Sequence, residues 1–300
     1  MKVVVTGGEG FIGQHLLKEL TRFSECWSID INDNVKNRNY NYINCDVSSI
    51  DLIDHLNIIK PDYIFHLAAQ TSSIISEETP IVDINTNIVG ALNICSALKI
   101  LPSTKLIFTS SMAVYGSNFI ENQGSGPEAN PLSVYGISKL SSEQLFLRLK
   151  KYNNKVDIYR LFNVYGEGQN LKNLKQGMLS IFCAMAIKDK KILVKGDKGR
   201  SRDFIHVKDV VQNLLKSLDN NLDSIKDIGT GRGLFVYQIA DTIRDKCMSM
   251  FNLDIEIIYE EGFKEDIFHS KTRNPVQHNV KFEEGISNFL KWCYRELNND

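Results

Sequence analysis

Two kinds of apolar patterning alternate along this chain: short continuous runs rich in β-branched residues, and longer stretches in which leucine and isoleucine recur every three or four positions. Lys2-Val3-Val4-Val5-Thr6 is a run of the first kind, and Leu16, Leu17 and Leu20 after it fall on one helical face. Together they predict a strand, a turn through Gly7 to Gly13, and a helix. Further strand-like runs follow at Cys26 to Asp30, Tyr42 to Val47, Pro61 to Ala69, Lys105 to Ser111 and Val156 to Leu161. Between them lie amphipathic segments at Ile50 to Ile59, Asp83 to Leu98 and Tyr135 to about Tyr152, and a Gly/Pro/Asn-rich loop from Glu121 to Pro131. Buried strands alternating with helices predict an α/β fold, a Rossmann-like doubly wound parallel sheet. Beyond Gly166 the pattern is less regular. A polar stretch from Glu167 to Lys175 precedes a helical pattern at Met178 to Ile187, the run Ile192 to Val194, and a charged glycine turn from Gly196 to Arg200. Helical patterns at Val210 to Ser217 and Val236 to Lys246 then flank Ile228-Gly229-Thr230-Gly231. This half reads as a smaller, interleaved substrate domain.

Composition narrows the class without changing the architecture. The 300 residues are 43% hydrophobic and 24% charged, enough for one large domain or two modest ones. With 35 basic against 36 acidic side chains the net charge is -1, so no overall field draws the chain to nucleic acid or to an anionic membrane. The six cysteines are scattered, with no C-x-x-C and no histidines at ligand spacing, which predicts reduced thiols, a cytoplasmic setting and no metal. Val3 to Val5 is too short for a signal sequence, and no stretch approaches ~18 apolar residues, so a soluble, unexported protein is expected.

The chemistry begins at the first turn. Glycines at 7, 10 and 13 let the backbone turn tightly, bring N–H groups against a pyrophosphate and pack the helix onto the strand, with the helix N-terminus facing the charge. The next strand ends in Asp30, 17 residues beyond Gly13, a carboxylate able to accept both hydroxyls of an adenosine ribose and to repel a 2′-phosphate. This predicts NAD rather than NADP, with Lys36 and Arg38 nearby as cations that argue the other way. Ligands of such sheets lie beyond the carboxyl ends of the strands, where Asp46, Ala68, Ala69, Ser110 and Ser111 fall. Strand-end capping is the alternative use of those hydroxyls. His66, in an apolar strand, reads as a core residue. Tyr135 and Lys139, four apart, share a helical face. An adjacent ammonium, with a bound cationic cofactor ring, favours the phenolate and moves the tyrosine from ~10 toward operating pH, as a general acid/base requires. The alternative is an aromatic ring packed on a lysine stem. Arg200 and Arg202 beside a glycine turn suit either a diphosphate or solvent.

These residues come in an order that resembles the extended short-chain dehydrogenase/reductase family, and within it the nucleotide-sugar epimerases and dehydratases. The resemblance rests on Thr6 to Gly13, Asp30, Asp46-Val47, His66 to Ala69, Asn87 three before Gly90, Ser110 to Gly116, Tyr135 to Lys139, Arg160 to Gly166, Arg202 to Val207 and Gly229 to Gly231, and covers about the first nine-tenths of the chain. It implies a cofactor site of Gly7, Gly10, Phe11, Ile12, Gly13, Asp30, Asp46, Val47, Leu67, Ala68, Ala69 and Asn87 together with Tyr135 and Lys139. It implies catalysis by Ser111, Tyr135 and Lys139: the tyrosine exchanges a proton with a sugar hydroxyl, the lysine bonds the nicotinamide ribose, and the serine holds the same sugar oxygen. Ser111, Asn163 and Arg202 would contact the nucleotide-sugar. Residues 1–166, with returns near 203–231, would form the NAD-binding domain and 167–300 mainly the substrate domain, in a homodimer paired through the Asn87 and Tyr135 helices. Cell-surface polysaccharide biosynthesis is the setting such enzymes suggest.

Within the family, dehydratases carry an Asp-Glu pair where this chain has Met112 and Ala113, and elimination of water needs those carboxylates. The first expectation is therefore a C4 epimerase of a UDP-hexose or UDP-N-acetylhexosamine acting through a 4-keto intermediate. The alternative is a reductase or epimerase of a nucleotide-linked 4-keto-6-deoxy sugar, with a 4,6-dehydratase or a non-catalytic NAD-binding protein ranked below. Three departures stand out: Glu167 replaces a usual proline, Phe263 and Lys264 stand where an arginine clamps the diphosphate, and the stretch from His269 to Val280 is short.

Overall fold

The computed structural model describes residues 1–33, 38–116, 128–219, 224–261 and 269–298. Lys36, the greater part of the Glu121 to Pro131 loop, and Phe263 with Lys264 lie outside the described residues. The chain begins β1 (Lys2–Thr6), α1 (Phe11–Leu20), β2 (Glu25–Asp30), β3 (Asn41–Asn44), α2 (Asp51–Ile59), β4 (Tyr63–His66), α3 (Ser73–Glu78), α4 (Pro80–Ile84), α5 (Gly90–Leu98) and β5 (Lys105–Ser111). It continues through α6 (Val134–Leu147), β6 (Val156–Leu161), β7 (Asn163–Tyr165), α7 (Met178–Asp189), β8 (Lys191–Lys195), β9 (Ser201–His206) and α8 (Val207–Leu215). It ends with β10 (Ser224–Ile228), β11 (Gly233–Phe235), α9 (Val236–Phe251), β12 (Glu256–Glu260), β13 (His269–Ser270) and α10 (Phe282–Asn298). Two compact units result, one of Met1–Val114, Pro131–Leu161 and Val211–Lys226, the other of Tyr115–Asn130, Phe162–Val210 and Asp227–Asp300. The chain thus leaves the first unit at Leu161, a few residues before Gly166, because Asn163 to Tyr165 pair with β9.

The first unit is built on a seven-stranded sheet in the order β10-β6-β5-β4-β1-β2-β3. From β3 across to β6 every pairing is parallel. Strands covered on both faces need continuous rather than alternating apolar runs, and Val3, Val4, Val5, Leu106, Ile107 and Phe108 are all buried. Helices supply the cover: α1 buries Leu16, Leu17 and Leu20, and α2 buries Leu52, Leu56 and Ile59 at the spacing of one helical face. Full burial of each such side chain stabilises by about 1.5–3 kcal/mol. Strand order reverses beside β1, so its carboxyl end is a topological switch point, where ligands of such sheets bind. The segment returning at Val211 closes the β6 side. Lys105 Nζ lies 2.7 Å from Asp157 and donates to the Ser217 carbonyl at 2.8 Å, and the Tyr159 hydroxyl meets Ser217 Oγ at 2.8 Å.

The expected helix from Asp83 to Leu98 starts earlier, at Pro80, and is interrupted by one wide π-type turn over Asn85–Val89. Such turns recur at functional sites because they re-aim side chains. Although no apolar run stood out in the sequence, the 19-residue stretch Pro80–Leu98, with mean hydropathy 1.3, is long and apolar enough to cross a membrane by length and composition alone. Half of it is buried inside the protein, and buried Asp83, Asn87 and Asn93 lie along it.

In the second unit β9 joins β7, β11 and β13, and β8 pairs with β12. Leu179, Phe182, Ile239, Ile243, Ile286, Phe289 and Leu290, from α7, α9 and α10, form its core. Asp203 is fully buried and accepts from Thr230 N at 2.9 Å, Thr230 Oγ1 at 2.6 Å, Gly231 N at 2.8 Å and Thr272 N at 3.2 Å, which fixes the turn after β10. All six cysteines are free and buried. Among the described residues no three His, Cys, Asp or Glu are grouped to hold a metal ion.

Candidate functional site

The turn after β1 is shaped by what a Cβ would strike. Gly7 adopts φ 71°, and a Cβ there would stand 2.6 Å from Ala68 N. At Gly13 a Cβ would lie 2.2 Å from the Gly7 carbonyl oxygen, so α1 packs against the turn with no room for a side chain. Gly10, the residue before α1, offers no side-chain cap, and the first turn of α1 carries no acidic residue. Its N–H groups and positive dipole end therefore remain available for an anion. Phe11 and Ile12 open that helix. At the end of β2, Asp30 accepts from Glu9 N at 3.0 Å through Oδ2 and from Asn32 N at 2.9 Å through Oδ1. Each oxygen keeps a lone pair for a ribose hydroxyl. This cradle, helix end and carboxylate fit a dinucleotide.

The catalytic candidates converge in the first unit. Ser133 caps α6 by accepting from Gly136 N at 3.1 Å. Gly136 lets that helix approach the chain after β5, since a Cβ there would lie 2.7 Å from the Ala113 carbonyl. The approach brings Ser111, whose Oγ accepts from Ala113 N at 3.2 Å, into hydrogen-bonding range of the Tyr135 phenol. One turn on, the Lys139 ammonium stands 4.3 Å from the centre of the Phe108 ring. Burial pushes Tyr135 up to about 12, Ser111 draws it back, and Asp83 adds to the rise. Burial pulls Lys139 down to about 7 against the opposing charges of Glu143 and Asp83. Desolvation of the phenolate sets the direction in the protein alone, whereas the downward shift expected for the tyrosine belongs to a site that also holds a cationic cofactor ring.

The remaining candidates divide by role. Asn87 is buried; its Nδ2 donates to the Gln70 carbonyl at 3.1 Å and to Ser138 Oγ at 3.0 Å, and its Oδ1 accepts from Gln70 N at 3.0 Å. Its side chain fastens the segment after Leu67, Ala68 and Ala69 to α6. Asp46 is exposed and holds Ser48 N and Oγ, both at 2.8 Å, while Val47 is buried against Gly90. Asn163 and Arg202 belong to the second unit, on the adjacent strands β7 and β9. Asn163 Nδ2 donates to the Asp203 carbonyl at 3.0 Å. Arg202 is buried, and desolvation, then its neighbour Arg200, lowers it to about 10.

Sequence reading missed two carboxylates that act on the Tyr135 and Lys139 pair. Glu143, fully buried, is clamped by Arg160 through Nε–Oε1 at 3.0 Å and Nη2–Oε2 at 2.7 Å, and accepts from Ser110 Oγ. Its signal was present: Tyr135, Lys139 and Glu143 follow each other at four-residue spacing. Asp83 accepts from Gln70 Nε2 at 2.9 Å, and its Oδ1 has no hydrogen-bond partner among the described residues. His66, read as a core residue, is buried, bonds Thr6 Oγ1 at 2.7 Å and is driven down to about 3 by burial and then by Lys139. It is neutral at any working pH.

A sequence model of the NAD dependent epimerase/dehydratase family matches residues 3–229. A putative UDP-glucose 4-epimerase of Methanocaldococcus jannaschii is 31% identical over 300 residues, spanning 97% of this chain and 92% of its own length. A UDP-N-acetyl-alpha-D-glucosaminuronate decarboxylase of Bacillus cytotoxicus is 28% identical over 323 residues, spanning 100% of this chain and 99% of its own. The crystal structure of UDP-glucose 4-epimerase from Thermotoga maritima with UDP-glucose superposes with a TM-score of 0.91 at 28% identity, covering 99% of this chain and 100% of that one.

Proposed function

The chain belongs to the NAD dependent epimerase/dehydratase family, enzymes that use NAD, and from that premise we propose that it inverts C4 of a UDP-hexose or UDP-N-acetylhexosamine through a 4-keto intermediate. The observation that carries this reading is the Tyr135 phenol within reach of Ser111 and one helical turn before Lys139, with Met112 and Ala113 in place of carboxylates. Gly7, Gly10 and Gly13, the N-terminus of α1 and Asp30 would hold NAD, which when bound accepts a hydride from the sugar carbon and returns it. Tyr135 Oη takes the proton of the sugar 4-hydroxyl and gives it back, and Ser111 Oγ holds the same oxygen. A phenol that burial leaves near 12 needs positive charge beside it to serve at neutral pH. Lys139 is the residue placed to supply it, its charge favoured by Glu143 and Asp83 against the pull of burial.

Asn163 and Arg202 are assigned to the nucleotide diphosphate, and Arg202 at about 10 remains a cation at neutral pH. The first unit would then serve the coenzyme and the second the nucleotide-sugar. A homodimer through the Asn87 and Tyr135 helices is part of the reading, supported by the exposed Ile81, Ile84, Leu92 and Ile137, as is a cytoplasmic enzyme of polysaccharide biosynthesis.

The decarboxylase relative favours a second reading. A hexuronate oxidised at C4 is a β-keto acid that loses CO2 to leave an enolate over C4 and C5, which takes a proton at C5 from solvent, so the same trio would serve the oxidation and the final return of hydride to C4. Incubation with UDP-glucose, UDP-N-acetylglucosamine, a UDP-hexuronate and a dTDP-4-keto-6-deoxyhexose, with and without NADPH, separates the readings by NMR. Epimerised UDP-sugar without added coenzyme is expected. Turnover confined to the hexuronate with CO2 release, or to the keto sugar with NADPH, overturns the epimerase.

A further inference from the structure

The glycine turn carries a carboxylate of its own. Glu9, between Gly8 and Gly10, has a side chain only 1% exposed. Its Oε1 accepts from Ser28 Oγ at 2.7 Å and from the Tyr40 hydroxyl at 3.1 Å, with Tyr40 also 3.2 Å from Oε2. Gly8 makes room for this arrangement, since a Cβ there would meet Ser28 Oγ at 2.3 Å. The charge of Glu9 is answered by Arg38, whose Nε stands 3.6 Å from Oε1. Arg38 is held twice more, by Asp33 Oδ1 at 2.9 Å from Nη2 and by the Tyr42 ring, whose centre is 4.0 Å from the guanidinium carbon. Its Nε has no hydrogen-bond partner among the described residues. The whole cluster is tied to the ribose carboxylate, because Glu9 N donates to Asp30 Oδ2 at 3.0 Å.

An arginine in the stretch that follows β2 is the residue type that accommodates the 2′-phosphate of NADP in such folds. Here that arginine is present and engaged by two carboxylates. A phosphate brought to the ribose would meet Asp30, and Arg38 could turn to it only by leaving the buried Glu9 carboxylate without its counter-charge. We propose that Glu9 and Asp33 are positioning residues that hold Arg38 back from the adenosine 2′ position, so that the coenzyme site selects a 2′-hydroxyl and keeps a suppressed 2′-phosphate ligand. The inference rests on the NAD reading above.

Calorimetric titration of the full chain with NAD and with NADP tests it. Wild type binds NAD more tightly. Glu9→Gln keeps the Ser28 and Tyr40 bonds through its amide oxygen but loses the charge, and improves the NADP-to-NAD affinity ratio by about tenfold, the worth of one charge-assisted hydrogen bond. Arg38→Ala in the Glu9→Gln background cancels the gain. Loss of scaffolding alone would weaken both coenzymes together and leave the ratio unmoved. An unchanged ratio with an unchanged melting temperature, or a gain that survives removal of Arg38, overturns the proposal. Should Glu9→Gln unfold, Asp33→Asn, whose side chain is 65% exposed, shifts the ratio in the same direction or the idea falls. If wild type binds neither coenzyme, the cofactor reading itself fails and takes this one with it.

Discussion

Removing Arg160 strands a charge. Glu143 is fully buried and Arg160 is 13% exposed, so their paired hydrogen bonds sit almost entirely out of water. Breaking a buried pair from one side costs ~3–5 kcal/mol, because the remaining ion keeps its desolvation penalty. Arg160→Met is expected to lose about that much, partly relieved by the Ser110 hydroxyl on Glu143. The double variant Glu143→Leu/Arg160→Met removes both charges and is expected to recover most of the loss. It does not recover the chemistry. Lys139 stands near 7 with Glu143 holding it up, and without that carboxylate it falls further. Above its pKa each further unit of fall leaves ~10-fold less ammonium. Since the step needs Lys139 charged, the alkaline limb of the pH–rate profile moves to lower pH in the double variant. Scanning calorimetry reads the stability and initial rates of UDP-sugar epimerisation from pH 5 to 9 read the profile. A double variant that melts like wild type and keeps the wild-type alkaline limb refutes the role given to Glu143.

Tyr135→Phe is expected to lower turnover by at least ~100-fold, the contribution of a general acid/base, while leaving NAD binding by calorimetry unchanged. Acid should unfold the protein in two overlapping stages followed by urea midpoints. Unfolded histidine takes up a proton near 6.5 that folded His66 refuses until about 3, so stability is lost as pH falls across that window, on the order of 5 kcal/mol in all. Glu167, at about 2 through its His206 partner, adds a second loss as pH drops below 4.5, and His66→Asn should flatten only the first stage. Burial raises the thiols of Cys95 and Cys247 to about 11 and Cys26, Cys45 and Cys183 upward, so a thiol reagent at pH 8 should react slowly with native protein and with all six cysteines once denatured. Ile137→Lys on the exposed face of α6 should convert a dimer to a monomer by light scattering.

What could be read in the sequence was what local physics fixes. Val3 to Val5 and Leu106 to Phe108 announce strands buried on both faces, and Gly7 and Gly13 announce a turn with no room for side chains. Tyr135 and Lys139 share a face because four residues make about one helical turn. Partners distant in sequence were not legible. Arg160 meets Glu143 only after β6 and α6 have packed, and nothing local to either residue announces it. The π-type turn at Asn85–Val89 was hidden for the same reason: its wider spacing serves Asn87, whose amide bridges Gln70 and Ser138. Spacing reveals that Lys139 neighbours Tyr135 but not the depth at which both groups lie, and it is that depth which raises the phenol in the protein alone.

The return of Val211–Lys226 to the first unit sets a rule for cutting or recombining this protein. A fragment ending at residue 166 would hold every glycine and every catalytic candidate of the first unit. It would nevertheless expose β6 as an open edge where β10 should lie, and would leave Lys105 and Tyr159 without Ser217. Open edges invite pairing with other chains. A gene library built by joining halves at that point would therefore yield aggregates whatever the quality of its coenzyme site. Crossovers that carry residues 211–228, and with them all of β10, along with the first 161 keep the sheet whole. The unit of inheritance here is defined by which strands touch, and the linear order of the gene conceals it.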